Sequence, residues 1–273
     1  MSDVDRRLTS QLILLRETTD VVERSRKAWL GDSLSGASLL KLNYAASDIG
    51  CLLATLDDPE AIKQRKRWMK LQQKLSQGIA WLRSIDLLRD SLSESDLNKI
   101  ASAVARLSSK PVSQCHKLMS RPEWVRTRRR WYRYLDASPH HDHAEVITVA
   151  MTERTEHHFL KLQKRIVKHD NDKDWLKLVV VIGQLKVILS LLAASNRDYQ
   201  VRLDLVCDIE SHLRLWCLTH SRLPLLKLLS ATPEVDDRAG LADRIANIRL
   251  QEQLSAHRRK ERVRKLLIKP SDD

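Results

Sequence analysis

Apolar residues recur along this chain every three or four positions, which is the spacing of one face of an α-helix. Between residues 5 and 30 the series consists of Leu8, Leu12, Leu15, Val21 or Val22, and Trp29. No segment shows the alternation of apolar and polar residues that is typical of a strand. The pattern therefore predicts an all-α protein.

Turn signals divide the first half of the chain into four helical regions. The first helix ends before Gly31, and a second follows Ser35 and ends at Asp57-Asp58-Pro59. A third helix runs from there to about Ser91, and a fourth region covers residues 95–135. Because proline lacks a backbone donor, we expect Pro111 and Pro122 to split the fourth region into shorter pieces.

The second half repeats this arrangement. Ser138-Pro139 predicts an N-cap with proline in the first helical position, starting a fifth helix that ends near Lys168. A sixth helix covers residues 175–194 and a seventh residues 198–220, and Thr232-Pro233 starts an eighth that ends near residue 268. We therefore predict two consecutive four-helix bundles that form a duplicated domain, with residues 1–137 in the first bundle and residues 138–273 in the second.

The composition narrows the function classes. The chain has only six glycines and a net charge of +13, which disfavours Gly-rich phosphate loops and favours an anionic partner. Four widely spaced cysteines without a CxxC pair predict free buried thiols in a reducing compartment, and the N-terminus lacks the apolar stretch of a secretory signal. We expect a cytoplasmic location.

The most apolar stretch covers residues 176–194 and has the length of a membrane helix. Lys177, Gln184 and Lys186 interrupt it. Charged residues are costly in the bilayer interior, so we expect a buried bundle helix and no membrane insertion.

Three basic clusters are candidate anion-binding sites, because guanidinium groups bind phosphate oxygens in bidentate fashion. The second cluster is interleaved with Trp124, Trp131, Tyr132 and Tyr134, and exposed aromatic rings would stack on single-stranded bases. An alternative interpretation is that the clusters are solvated helix faces whose aromatic residues lie in the core. The candidate residues are Lys63 and Arg67 in the first cluster, Arg126, Arg129, Arg130 and Arg133 in the second, and Arg258 and Arg262 in the third.

Metal binding and catalysis find little support. His140, His141 and His143 precede Glu153 and His157, but the helical rise from His143 to Glu153 is about 15 Å, so one ion cannot join the two groups. Paired carboxylates such as Asp57-Asp58 lie at predicted helix starts, where they favour the helix N-terminus. We predict no metal, no cofactor and no enzymatic activity.

The layout of helices resembles the conserved histidine α-helical domain (CHAD) family, over nearly the whole chain. The family's second helix usually reads H-x-[LM]-R-V-A-x-R-R-L-R, and residues 41–50 here keep its apolar spacing without the histidine and arginines. Residues 81–87 keep an arginine and an aspartate of the third-helix motif, at Arg83 and Asp86, and residues 120–124 look like a short S-x-R-type stretch. Residues 176–187 match the corresponding motif of the second half, with Lys186 where a pore arginine stands.

This resemblance implies two four-helix bundles and a basic groove between them that binds inorganic polyphosphate. Most of the family's basic positions are apolar here, so the implied anion site is largely dismantled. The remaining candidates are Lys177, Lys186 and Arg83, together with Lys161, Lys164, Arg165 and Lys168 of the fifth helix. The leading hypothesis is a non-catalytic polyanion-binding protein with polyphosphate as its ligand. The alternatives are a single-stranded nucleic-acid binder and a protein-interaction scaffold whose anion site has decayed.

Overall fold

A computed structural model describes residues 3–31, 36–56, 59–120, 122–137, 149–193, 197–236 and 240–268. Within these ranges the chain is helical and has no strand, which confirms the all-α prediction. The helices are α1 (Asp3–Gly31), α2 (Gly36–Ala54), α3 (Pro59–Ser91), α4 (Glu94–Met119), α5 (Glu123–Ala137), α6 (Val149–Lys168), α7 (Asp172–Leu192), α8 (Arg197–Ser230), α9 (Pro233–Asp236) and α10 (Leu241–Ile268).

The N-terminal bundle consists of α1, α2, α3 and the pair α4 and α5, which together act as one broken helix. Arg26 of α1 donates to the Met119 carbonyl at the end of α4, at 3.0 Å. Further toward the start of α1, Thr19 accepts a hydrogen bond from the Trp131 indole of α5 at 2.9 Å. The end of α4 and all of α5 therefore follow α1 in a single, antiparallel direction.

The C-terminal bundle consists of α6, α7, α8 and α10. Arg165 of α6 pairs with Asp174 of α7 at 2.9 Å, and Arg222 of α8 pairs with Glu252 of α10. A core that includes Trp175, Leu213, Trp216 and Val263 lies between the four helices. Both bundles were expected from the sequence. The predicted boundary between residues 137 and 138 stays a prediction, because residues 138–148, with the Ser138-Pro139 cap, lie outside the described residues.

The two bundles contact each other through two pairs of helices. α2 packs on α7, and α3 packs on α8. A separate small core lies at one end of the molecule and includes Leu88, Ile100, Leu226, Leu229 and Leu241. Since these residues belong to α3, α4, α8 and α10, the two bundles share apolar packing as well as polar contacts.

Three predicted helix boundaries are wrong. α4 continues through Pro111, α8 continues through Pro224 to Ser230, and the segment after Thr232 forms the short α9 before α10 begins at Leu241. Proline weakens a helix interior by one hydrogen bond, but buried residues on the far side of each proline hold the helix together. After Pro111 these are Cys115 and Met119, and after Pro224 they are Leu226 and Leu229. The predicted break at Pro122 is confirmed.

Gly78 allows α3 to pass close to the proline turn of α4. A Cβ atom at residue 78 would overlap the Cys115 Sγ atom and would lie 3.0 Å from the Pro111 carbonyl oxygen. The Cys115 Sγ atom also lies 3.6 Å from the Leu75 carbonyl oxygen, and burial raises the pKa of this thiol to about 11. The packing of α3 on α4 therefore depends on the absence of a side chain at this position.

Lys260 attaches α10 to the rest of the C-terminal bundle. Its ammonium group lies 2.7 Å from Asp170, in the turn before α7, and 2.6 Å from Asp172, the first residue of α7. The same group lies 5.5 Å from the ring centre of Trp175 and 5.4 Å from that of Trp216. Cation–π and charge-assisted contacts therefore replace the water that this buried lysine loses.

Helix α7 is long and apolar enough to cross a membrane, judged by length and composition in the described part of the chain. In the structure 56% of its most apolar window is buried. Trp175, Leu178, Ile182 and Leu185 supply much of the C-terminal core.

We expect Gly78→Ala to destabilise the protein by about 1–3 kcal/mol, because the added methyl group overpacks the contact between α3 and α4. The matched control is Gly31→Ala, where no atom lies within 4 Å of the added Cβ, and this change should be neutral or stabilising. Urea unfolding of both variants measures the difference. Cys115→Ala in the Gly78→Ala background should recover part of the loss, and equal stability of the two single variants would contradict the close contact.

Candidate functional site

A cluster of four charged side chains lies where the two bundles meet. Arg214 of α8 is 2.5 Å from Asp48 of α2 and 2.7 Å from Glu210 of its own helix. Lys186 of α7 is 2.9 Å from Glu210 and 3.9 Å from Asp48. Two cations and two carboxylates thus neutralise each other, and the contacts of Asp48 cross the interface between the bundles.

The electrostatics of this cluster reflect its burial. Burial raises the pKa of Asp48 above its usual value, although Arg214 and Lys186 oppose the shift. Burial alone would lower the pKa of Arg214, but Asp48 and Glu210 outweigh it and raise that pKa. The Arg214 guanidinium also lies 4.5 Å from the ring centre of Tyr44, so its remaining face is covered. Arg214 is therefore committed to contacts within the protein.

A second charge cluster continues along the same interface. Arg83 of α3 pairs with Asp86 at 2.8 Å, and Arg222 of α8 pairs with Glu252 of α10. Burial lowers the pKa of Arg222, and the positive charge of Arg83 lowers it further, while Glu252 opposes the shift. Each cation in this cluster has its own carboxylate.

The structure therefore places Lys186 and Arg83, two of the three remnant cations that the family resemblance implies, in ion pairs. The adjoining cavity, of about 700 Å³, is also balanced in charge. Its lining includes three acidic and three basic residues: Glu17, Asp20, Asp48, Arg24, Lys41 and Arg214. A polyanion between the bundles would have to displace the protein's own carboxylates.

The basic residues of α6 and α7 lie on the outside of their hairpin. Lys161, Lys164 and Lys168 are exposed. Arg165 and Lys177 share the buried carboxylate of Asp174, at 2.9 Å and 3.6 Å. Three lysines of the hairpin are thus exposed, and the other two cations cover Asp174.

The basic cluster of α3 is also partly neutralised. Lys63 and Arg67 both pair with Glu60, at 3.2 Å and 3.6 Å, on the protein surface. Trp68, which stands among these cations in the sequence, is buried and packs edge-on against Trp131 of α5 at 5.3 Å between ring centres.

The cluster on α5 has a different geometry. Arg126, Arg129, Arg130 and Arg133 are all exposed, and no ion pair is found for them among the described residues. A helix turns by about 100° per residue, so the four side chains fall within about 100° of arc and extend about 10 Å along the axis. We call these four residues the α5 arginine stripe.

The opposite face of α5 is apolar and fixed. Trp124, Trp131, Tyr134 and Leu135 are buried in the N-terminal core. The Trp124 indole donates to Glu23 at 3.0 Å. Tyr132 is partly buried, with the Arg128 guanidinium 5.3 Å from its ring centre. The exposed rings on which the hypothesis of stacking with single-stranded bases depends are therefore absent from this helix; indeed, all seven tryptophans of the chain are buried.

In the third cluster, on α10, inward and outward cations alternate. Arg258 and Arg262 are exposed, whereas Lys260 is buried and Arg264 approaches Asp170 at 3.4 Å. Sequence reasoning treated this run as uniform and missed Lys260. A signal was present, because Ala256, Lys260, Val263 and Leu267 share the helical spacing of a buried face.

The histidines and cysteines are the residues that could bind a metal or react as thiols. His140, His141 and His143 lie outside the described residues. Elsewhere in the described chain, no group of three His, Cys, Asp or Glu side chains could hold a metal ion. The four cysteines are free; Cys51 and Cys115 are buried, and Cys207 and Cys217 are half-buried. Burial raises the pKa of Cys51 and of Cys217 to about 12, which makes both thiols poor nucleophiles.

Comparison with protein-family models, with curated proteins and with solved structures finds no match for this chain.

We expect Arg214→Met to destabilise the protein by about 2–4 kcal/mol at pH 7, because Asp48 and Glu210 then share only Lys186. In this variant one of the two carboxylates, Asp48 or Glu210, lacks a cation, which raises its pKa in the folded state. The folded state therefore binds more protons than the unfolded chain. The difference in stability from the unsubstituted protein should therefore shrink as the pH falls from 7 to 5.

Urea unfolding at both pH values measures this effect. Arg16→Met is the control, because the pair between Arg16 and Asp136 is exposed on both sides and should contribute about 0–1 kcal/mol. A loss for Arg214→Met that stays constant with pH would show that lost packing, not uncompensated charge, is its cause.

Proposed function

We propose that this protein is a non-catalytic polyanion-binding protein that holds inorganic polyphosphate on the α5 arginine stripe. The observation that carries the proposal is the alignment of Arg126, Arg129, Arg130 and Arg133 on one exposed helix face, with no ion pair to any carboxylate that the structure describes. The other basic candidates near the interface are neutralised by the protein's own carboxylates.

The stripe is unfavourable for the protein alone. Like charges three or four positions apart repel each other by about 0.2–0.5 kcal/mol per pair in a helix. The anchored face of α5 keeps the helix formed despite this repulsion. A chain of phosphates would remove the repulsion and accept bidentate hydrogen bonds from each guanidinium, with release of counterions from the ligand.

The buried rings favour a ligand that is recognised through its phosphates. A single-stranded nucleic acid gains much of its affinity by stacking its bases on aromatic side chains. Since Trp124 and Trp131 are committed to the core, α5 offers charge without a stacking platform. This supports inorganic polyphosphate over single-stranded RNA.

The scaffold hypothesis depends on the apolar residues 179–182, which replace charged positions of the CHAD pattern. Val181 and Ile182 are core residues of the C-terminal bundle, so packing accounts for the apolar character of these two residues, whereas Val180 is exposed. The two-bundle layout agrees with membership of the CHAD family, and the four free thiols agree with a cytoplasmic location. Membership of the CHAD family and a cytoplasmic location are parts of this proposal.

The test is a binding assay with long-chain polyphosphate at two salt concentrations. We expect the quadruple variant Arg126→Gln, Arg129→Gln, Arg130→Gln, Arg133→Gln to weaken binding at least ten-fold. Glutamine keeps the helix propensity of α5. The slope of log affinity against log salt should fall by about 0.7–0.9 for each lost phosphate contact, by analogy with nucleic acids.

The matched control removes four positive charges from the α6 and α7 hairpin, by Lys161→Gln, Lys164→Gln, Lys168→Gln and Lys173→Gln. This variant should keep most of the affinity. Equal losses in the two variants would reduce the interaction to general electrostatics, and competition by single-stranded RNA as strong as that by polyphosphate would contradict the proposed ligand.

A further inference from the structure

The C-terminal bundle carries a basic stripe that matches the one on α5. Arg258, Arg262 and Lys265 of α10 are exposed and have the spacing i, i+4, i+7. Arg126, Arg130 and Arg133 of α5 have the same spacing. We call the three α10 residues the α10 basic stripe.

The two stripes occupy equivalent positions in the two bundles. Each stripe lies on the fourth helix of its bundle. In the N-terminal bundle this position is filled by the broken helix of α4 and α5, and in the C-terminal bundle it is filled by α10. Each also lies opposite the buried face of its helix, which holds Ala256, Val263 and Leu267 in α10 and Trp131 and Leu135 in α5. The outward position of the stripes is therefore set by core packing.

The α10 basic stripe, like the α5 arginine stripe, has no ion pair within the part of the chain that the structure describes. Glu261, the acidic residue within its span, contacts Arg264, which lies on the side of the helix that faces Asp170. No ion pair is found for Arg258, Arg262 or Lys265 among the described residues. The carboxylates that the structure describes near α10 thus pair with its inward cations and not with this outward row.

The stripes lie at different heights along the molecule. Asp96 near the start of α4 pairs with Arg244 near the start of α10, at 2.9 Å. From this contact the helical rise to Arg126 is about 45 Å, and the rise along the α10 basic stripe goes from about 21 Å at Arg258 to about 32 Å at Lys265. Because α5 continues along α1 in the direction of α4, the two rises differ by about 13 Å at the nearest ends of the stripes. A phosphate chain shorter than this separation contacts one stripe at a time.

We propose that the α10 basic stripe is a second polyanion site, which makes the protein bivalent for phosphate chains. This inference rests on the proposed function and adds the stoichiometry of binding to it. A short chain occupies one stripe, so that two short chains bind each protein. A long chain engages both stripes, and its second contact is intramolecular and strengthens binding by avidity.

The experiment measures the stoichiometry of tripolyphosphate binding at low salt by equilibrium dialysis. We expect two ions per protein, and one after Arg258→Gln, Arg262→Gln, Lys265→Gln. The same triple variant should weaken binding of long-chain polyphosphate at least ten-fold. The control variant Lys161→Gln, Lys164→Gln, Lys168→Gln has the same change in charge and should keep two sites.

The outcomes separate the two proposals. One site in the unsubstituted protein, or two sites in the α10 triple variant, would overturn bivalence and leave the α5 site standing. No saturable binding to the unsubstituted protein, with either probe, would overturn the proposed function itself. Loss of one site in the lysine control as well would show that net charge, not the α10 basic stripe, determines the stoichiometry.

Discussion

The pairing of Arg214 with Asp48 is the interaction on which the relation between the two bundles depends. A guanidinium group that loses water between helices needs carboxylates at close range, because an unpaired charge there is far more costly than a paired one. Asp48 comes from one bundle, and Glu210 from the other. Lys186 completes the set. Because the compensation crosses the interface, neither bundle can move away from the other without leaving a charge unpaired.

The same rule separates the cations of this protein into two populations. Inward cations, such as Arg214, Arg222 and Lys260, each have a carboxylate or an aromatic ring at close range. The outward rows on α5 and α10 have no such partners among the described residues. The net charge of +13 is therefore not spread evenly over contacts and surface. Part of the excess lies on the outward rows of α5 and α10, which can meet a ligand without disturbing the core.

The sequence predicted the helices well because their apolar spacing is local, but it could not predict most of the pairing. Pro111 and Pro224 show one limit, since local propensity disfavours a helix there and packing against distant helices overrides it. Asp48 and Arg214 show another, because 166 positions separate them and only the tertiary fold brings them together. For α5 the sequence shows aromatic residues among arginines, but only the fold shows that the tryptophans lie on the core side of the helix. Lys260 could have been recognised from its spacing.

The contacts of Lys260 have a consequence for the order in which the two bundles form during synthesis. The N-terminal bundle is complete once α5 has emerged, and it can then close around its tryptophans. In the other half, Lys260 is made well after the three residues that it contacts, which are Asp170, Trp175 and Trp216. Since chains fold from the N-terminus as they are synthesised, α6, α7 and α8 must wait with an open core until α10 arrives. The apolar faces of these three helices therefore stay open to solvent or to each other until the last helix of the bundle is made.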